Sequence, residues 1–157
     1  MTEATEERDM LLSALRSADR DRYLATLLSP QNKRFALSAL YGFNAELARV
    51  RERVSEPLPG EIRLQYWRDL VTGEGRGETE ANPLAAALLE TIAEHALPRN
   101  AFVGMTEARV FDLYDDPMGG TADFEGYAGE TASVLIQLAS LVLDDGLAPE
   151  YAESAGH

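Results

Sequence analysis

The chain has 157 residues, of which 45% are hydrophobic and none is cysteine, and its formal net charge is −13. This length and apolar content predict one globular domain with its own core. The acidic balance repels phosphate backbones and disfavours nucleic acid as a partner. The lack of cysteine excludes disulfides, thiol catalysis and thiolate metal sites, and it is compatible with a reducing cytoplasm. We expect no transmembrane segment, because no apolar run approaches roughly 20 residues, and the acidic N-terminus resembles neither a signal nor a transit peptide.

Two short helices are predicted at the start of the chain. The first covers residues 5–17, and its apolar face carries Met10, Leu11, Ala14 and Leu15. Asp19 is a suitable N-cap for the second helix, which we expect to end near Leu28.

A long central helix is predicted from Ser29 to Glu56. Ser29 suits the N-cap, Pro30 suits the first helical position, and Pro57 follows the end. Steps of four and three residues separate the apolar positions Ala36, Leu40, Phe43, Leu47, Val50 and Val54. This spacing gives one continuous stripe on a helix, which at about 1.5 Å per residue would cross the whole domain.

Three further helices are predicted after the central one. A turn at 57–60 precedes a helix over 61–73, whose inward residues are Ile62, Tyr66 or Trp67, and Leu70. A glycine-rich stretch at 73–78 lacks the strand and the GK[ST] motif of a phosphate-binding loop and is predicted as a flexible connector. Asn82 and Pro83 open the next helix, whose buried face is Leu84, Leu88, Ile92 and Ala96. A sixth helix is predicted over residues 100–116.

The last long helix is predicted to follow a break at 117–120. Thr121 would cap it, and the Asp144–Gly146 segment would end it. No stretch shows the period-two pattern of a strand. About seven helices with short connections predict an all-α helical bundle.

Few residue patterns in the chain indicate a catalytic, metal-binding or ligand-binding site. His95 and His157 stand outside any metal-binding pattern and are assigned structural or surface roles. Asp112 with Asp115 or Asp116, preceded by Glu107, has the helical spacing with which carboxylates share a divalent cation. Such spacings also arise by chance among 27 acidic residues. Aromatic residues on four of the predicted helices would line an apolar ligand tunnel or, as is more usual, fill the core.

Several segments together resemble the squalene/phytoene synthase family. They are ALYGFNAEL at 39–47, EIRLQYWRDL at 61–70, Asn82-Pro83-Leu84, EARVFDLYDDP at 107–117, and Tyr127-Ala128. The resemblance covers nearly the entire chain. It implies an isoprenoid synthase-type bundle, incomplete at the C-terminus, over a single domain at 1–157. It also implies that catalytic relatives join two prenyl diphosphates head to head, with Mg²⁺ held by two aspartate-rich motifs.

The first aspartate-rich motif is degenerate in this chain. The resemblance places the motif's arginine at Ala45 and its metal-binding aspartates at Ala48, Arg49 and Glu52. Only Glu52 retains a carboxylate, and Arg49 would repel a cation. The departures resemble the branch of the family that contains mitochondrial complex I assembly factors. The second motif would lie beyond His157.

These departures predict a non-catalytic binding or assembly module without a metal cofactor or catalytic residue. The expected substrate-like pocket comprises Tyr41, Phe43, Ala45, Ala48, Glu52, Asp112 and Tyr127. The expected partners are a protein, a second copy bound through an uncovered apolar helix face, or an isoprenoid-like lipid. We expect a cytoplasmic location, with peripheral membrane attachment as the alternative. The competing hypothesis is an active Mg²⁺-dependent prenyl transferase that uses Glu52 and the aspartates at 112–116.

Overall fold

Every regular element is helical in the parts of the chain that the computed structural model describes, residues 3–75 and 81–156. The α-helices are α1 Glu3–Ala18, α2 Arg20–Leu28, α3 Arg34–Ala48, α4 Pro57–Thr72, α5 Pro83–Glu94, α6 Arg99–Ala108, α7 Thr121–Ala128, α8 Val134–Leu143 and α9 Pro149–Ala152. Short 3₁₀ turns lie at Gln31–Lys33, Arg51–Arg53, Arg109–Leu113 and Glu153–Gly156. A π-helical turn at Gly129–Ser133 joins α7 to α8. The predicted all-α class is confirmed.

Helix α3 is the centre of the bundle and packs against α1, α2, α5 and α8. The predicted stripe is confirmed on α3 for Ala36, Leu40, Phe43 and Leu47, which are all buried. Val50 is buried and Val54 partly buried against the same core, but both lie beyond the end of α3. The ring of Phe43 meets Trp67 of α4 at 5.4 Å and Phe102 of α6 at 5.7 Å between centroids. These aromatic contacts join three helices at the centre of the core.

The predicted limits of the central helix are wrong. Ser29 is the C-cap of α2, and its Oγ donates to the carbonyl of Ala25 at 2.9 Å. Because a residue before proline is driven into extended backbone, the chain turns at Pro30 and α3 begins only at Arg34. At the other end, α3 stops at Ala48, and the turn that follows is held by two hydrogen bonds from Arg53 to Glu46.

Asp19 caps α2 as predicted. Its backbone is extended, and its carboxylate accepts a hydrogen bond from the Arg22 N–H at 3.1 Å. The Arg22 guanidinium donates to the same carboxylate at 2.6 Å. Burial, the largest single influence, works to raise the pKa of Asp19, but these hydrogen bonds and the charge of Arg22 hold the pKa below its ordinary value.

Helix α4 begins at Pro57, so the predicted turn at 57–60 is wrong. Proline is compatible with the first helical turn, where its missing N–H has no partner to lose. Trp67 and Leu70 are buried as expected, whereas Ile62 is 63% exposed. Leu64 and Val71 are also in the core, because α4 packs against α6 and its inward face is rotated from the predicted one.

The later helices follow the predicted order with local corrections. Asn82 caps α5 by accepting from the Ala85 N–H, as predicted. Ala96 is exposed with φ 49°, because α5 has already ended, so its predicted burial is wrong. The sixth helix tightens into a 3₁₀ turn after Ala108, and Gly120 rather than Thr121 occupies the N-cap of α7. Of the predicted connector, residues 76–78 lie outside the described part of the chain.

The helical run Thr121–Leu143 has 23 residues and a mean hydropathy of 1.2 over its most apolar window. Within the described residues, this run is long and apolar enough to cross a membrane by length and composition alone. The core helix of a soluble protein meets the same criterion, so this is weak support for a membrane span. Its second half, α8, packs against α3 and the C-terminal turns.

Candidate functional site

The end of α3 and the turn after it carry arginines at or beside the positions where the resemblance places cation ligands. Ala48 is exposed and offers no ligand. The guanidinium of Arg49 donates to the Ser17 carbonyl at 3.2 Å. Glu52 is exposed in the 3₁₀ turn and lies between Arg51 and Arg53 in the chain. The nearby Glu46 and Asp115 carboxylates lie against Arg53 and Arg51, so a divalent cation at this position would compete with these arginines.

The aspartates at 112–116 are the second candidate for a magnesium site. Both oxygens of Asp112 accept hydrogen bonds from neighbouring side chains. Asp115 is almost fully exposed and lies 3.7 Å from Arg51. Across residues 3–75 and 81–156, no group of three or more histidine, aspartate or glutamate side chains is arranged to hold a metal ion. Mg²⁺ usually keeps several waters and is bound through one or two carboxylates. Asp112 is already hydrogen-bonded to Arg109 and Tyr127, and Asp115 lies beside Arg51, so these carboxylates do not fit it.

The predicted pocket residues on α3 lie in different surroundings. Phe43 is fully buried in the core, and Ala45 is 6% exposed. Tyr41 is half-buried, and the Arg22 guanidinium lies 5.9 Å from its ring centroid. Burial raises the pKa of the Tyr41 phenol. The assignment of these residues, with Ala48 and Glu52, to one pocket stays a prediction.

The structure brings Asp112 and Tyr127 together through Arg109. The Tyr127 hydroxyl donates to Asp112 Oδ1 at 2.7 Å, and Arg109 Nη1 donates to Asp112 Oδ2 and to the Tyr127 hydroxyl, each at 3.0 Å. Burial, and after it the hydrogen bond to Asp112, raises the pKa of Tyr127. This three-residue network fixes the 3₁₀ turn at 109–113 against α7.

Beside this network lies an open groove of about 590 Å³. One wall comes from α6 and the following turn: Gly104, Glu107, Ala108 and Phe111. The other wall comes from α7 and the π-turn: Ala122, Asp123, Gly126, Tyr127 and Glu130. The segment 117–119 also lines the groove. The rings of Phe111 and Tyr127 lie 5.9 Å apart and form a continuous aromatic surface.

The charged side chains that line this groove are all acidic. Glu107 pairs with Arg68 at 3.1 Å, and Asp123 accepts from the Gly119 N–H at 3.0 Å. The Glu130 carboxylate lies against Gly104, in the space that a Cβ at position 104 would occupy. The positive charge of Arg109 is offset by Asp112. The groove therefore favours cationic ligands over a diphosphate.

Sequence reasoning identified Tyr127 but missed Arg109, Asp123, Gly126 and Glu130 as members of one site. The spacing of Gly126 and Glu130 by four residues indicates one helix face. No sequence pattern indicates that this face lies opposite α6, because that arrangement depends on the 3₁₀ and π-turns between the helices.

Comparisons with known proteins agree on one family. The family model described as squalene/phytoene synthase matches residues 15–157. The chain is similar to "NADH dehydrogenase (ubiquinone) complex I, assembly factor 6" of Homo sapiens, with 32% identity over 132 residues, or 84% of this chain and 40% of that protein. The protein of the same name from Rattus norvegicus is 33% identical over 132 residues, with the same coverage. A Dictyostelium discoideum homolog is 26% identical over 133 residues, or 83% of this chain and 37% of the homolog.

The chain thus spans about 40% of the length of the first of these relatives. No solved structure matches the chain. The family match extends over nine-tenths of the sequence and agrees with the all-helical order described above. The chain belongs to the squalene/phytoene synthase family, and its all-α bundle is of the isoprenoid synthase type.

Proposed function

We propose that this protein is a non-catalytic member of its family and acts as an assembly module for an NADH dehydrogenase complex. The observation that carries this proposal is the set of side chains at the end of α3, where Ala48 and Arg49 replace ligands and Glu52 lies between two arginines. The name of the mammalian relatives, complex I assembly factor 6, supports the assembly role.

Physical chemistry supports the non-catalytic half of the proposal. A departing diphosphate carries several negative charges that clustered cations must offset. Within the described residues, neither the end of α3 nor the aspartates at 112–116 contain a group of three or more acidic or histidine side chains that could hold such metal ions. No observation favours the transferase alternative, and we propose that the protein works without Mg²⁺.

The partner of such a module is proposed to be a protein subunit of the complex being assembled. Exposed apolar side chains support contacts with a protein, with a second copy or with an isoprenoid-like lipid: Leu28 is 88% exposed, Leu58 65% and Ile62 63%. We also propose a cytoplasmic location with peripheral attachment to a membrane through such side chains.

Deleting the gene for this chain from its host tests the assembly role. The amount of assembled NADH dehydrogenase, measured by activity staining after native electrophoresis, is expected to fall to a small fraction of the wild-type amount. A gene copy carrying Glu52→Gln is expected to restore assembly as fully as the wild-type gene, because Glu52 has no metal to bind. An unchanged amount of complex after deletion contradicts the proposal, as does a failure of rescue that is specific to Glu52→Gln.

A further inference from the structure

We infer that the groove between α6 and α7 is a docking site for an arginine- or lysine-containing, partly apolar segment of a protein partner. This inference rests on the proposed assembly function and names the surface and the partner chemistry that would serve it. None of the residues that line the groove comes from α3 or from the turn after it, where the family resemblance places the metal-binding motif.

The charge of the groove selects a cationic occupant. Asp123 and Glu130 are exposed, and neither pairs with a basic side chain among the described residues. Glu107 shares its charge with Arg68, an exposed pair that a stronger partner can replace at little cost. Arg109 does not offset the negative charges of Asp123 and Glu130, because its guanidinium is hydrogen-bonded to Asp112 and Tyr127.

The apolar side chains that line the groove favour an occupant that also has an apolar part. Phe111 is 37% exposed and lies against Tyr127, and Met118 lines the same surface. Aromatic faces attract guanidinium and ammonium groups and also pack against their aliphatic stems. Methionine adapts its shape to different apolar side chains.

The walls of the groove are held in place before any ligand binds. The hydrogen bonds among Arg109, Asp112 and Tyr127 fix one wall against the other. The π-turn at Gly129–Ser133 positions Glu130 over Gly104, and such turns occur frequently at functional sites. A preformed groove reduces the entropy cost of binding a flexible segment.

Peptide binding to the full chain tests the inference. The probe is a fluorescein-labelled amphipathic peptide with arginines on one face and leucines on the other. Its binding to the protein is measured by fluorescence anisotropy. The double variant Asp123→Asn/Glu130→Gln is expected to bind about tenfold more weakly, since two charged contacts are lost. Gly126→Leu is expected to weaken binding by a similar factor through steric block. A Cβ at position 126 meets no atom within 4 Å, so the fold should be kept.

The matched control is Glu90→Gln/Glu94→Gln on α5, which changes the net charge equally at exposed positions outside the groove. This control is expected to bind as the wild type does. Equal weakening by both double variants would overturn the inference, because the overall charge of −13 would then explain the binding. Wild-type binding by Gly126→Leu, or full displacement of the peptide by spermidine at equal charge concentration, would also overturn it.

The two proposals fail in distinguishable ways. If the groove variants bind the peptide normally while gene deletion still removes assembled NADH dehydrogenase, the docking site is wrong and the assembly function stands. If deletion has no effect while the groove variants lose peptide binding, the assembly function is wrong and the cationic docking site stands.

Discussion

Replacing Phe43 with alanine is expected to destabilise the protein by about 3–5 kcal/mol. Phe43 is fully buried, and its ring contacts Trp67 and Phe102, so the substitution removes aromatic contacts to two helices at once. The cavity left behind would be enclosed by α3, α4 and α6, whose backbones cannot collapse onto it without moving the whole bundle.

The loss in free energy of unfolding is measured by urea titration. Far-ultraviolet circular dichroism and the fluorescence of Trp67 report the unfolding. Phe43→Leu keeps most of the apolar volume and is expected to cost less, which gives a measurable value if the alanine variant does not fold. Tyr41→Phe, on the half-buried side of the same helix, is the control and should change stability by less than about 0.5 kcal/mol. A loss below about 1 kcal/mol for Phe43→Ala would contradict the packed core and favour a ligand-lining role for this ring.

Replacing Gly60 with alanine is expected to destabilise the protein by about 1–3 kcal/mol, although alanine is the better helix former. A Cβ at position 60 would lie 2.5 Å from Cδ2 and 2.9 Å from Cδ1 of Leu113. Leu113 is 3% exposed within the core, so it cannot swing into solvent to relieve the overlap. Glycine at this position allows the 3₁₀ turn at 109–113, which forms part of the groove, to approach α4 closely.

Gly126→Ala is the matched control for this prediction. Gly126 lies within α7, and a Cβ there meets no atom within 4 Å. The substitution is therefore expected to stabilise the protein by up to about 1 kcal/mol through helix propensity. Thermal melting of the two variants should move the midpoint in opposite directions. A stabilised Gly60→Ala variant would contradict the close contact between α4 and Leu113.

Local features of the fold could be predicted from the sequence, because the interactions that determine them are short in range. The stripe on α3 follows from the helical period, and the caps at Asp19 and Asn82 depend on hydrogen bonds to an N–H three residues away. Helix limits at prolines were predicted less well. Pro30 and Pro57 each fit either a turn or a first helical residue, and only packing decides between them.

The groove could not be predicted, because it depends on contacts between segments that are distant in sequence. Its carboxylates come from α6, α7 and the π-turn, and the sequence pattern of α7 and α8 reads as one regular helix. The network of Arg109, Asp112 and Tyr127 forms only when the chain leaves the α-helix after Ala108. By contrast, the loss of metal ligands at Ala48 and Arg49 could be predicted from the resemblance, because alanine and arginine side chains carry no carboxylate in any fold.

The central claim, that this protein does not catalyse prenyl transfer, is tested most directly by incubating it with farnesyl or geranylgeranyl diphosphate and Mg²⁺ and measuring diphosphate release. We predict release no faster than in a protein-free reaction, and a melting midpoint that does not change with ligand concentration. Binding at about 100 times Kd would stabilise the native state by about 2.7 kcal/mol, so a flat midpoint is informative. Diphosphate release above background that is abolished by Glu52→Gln or Asp112→Asn would contradict the account.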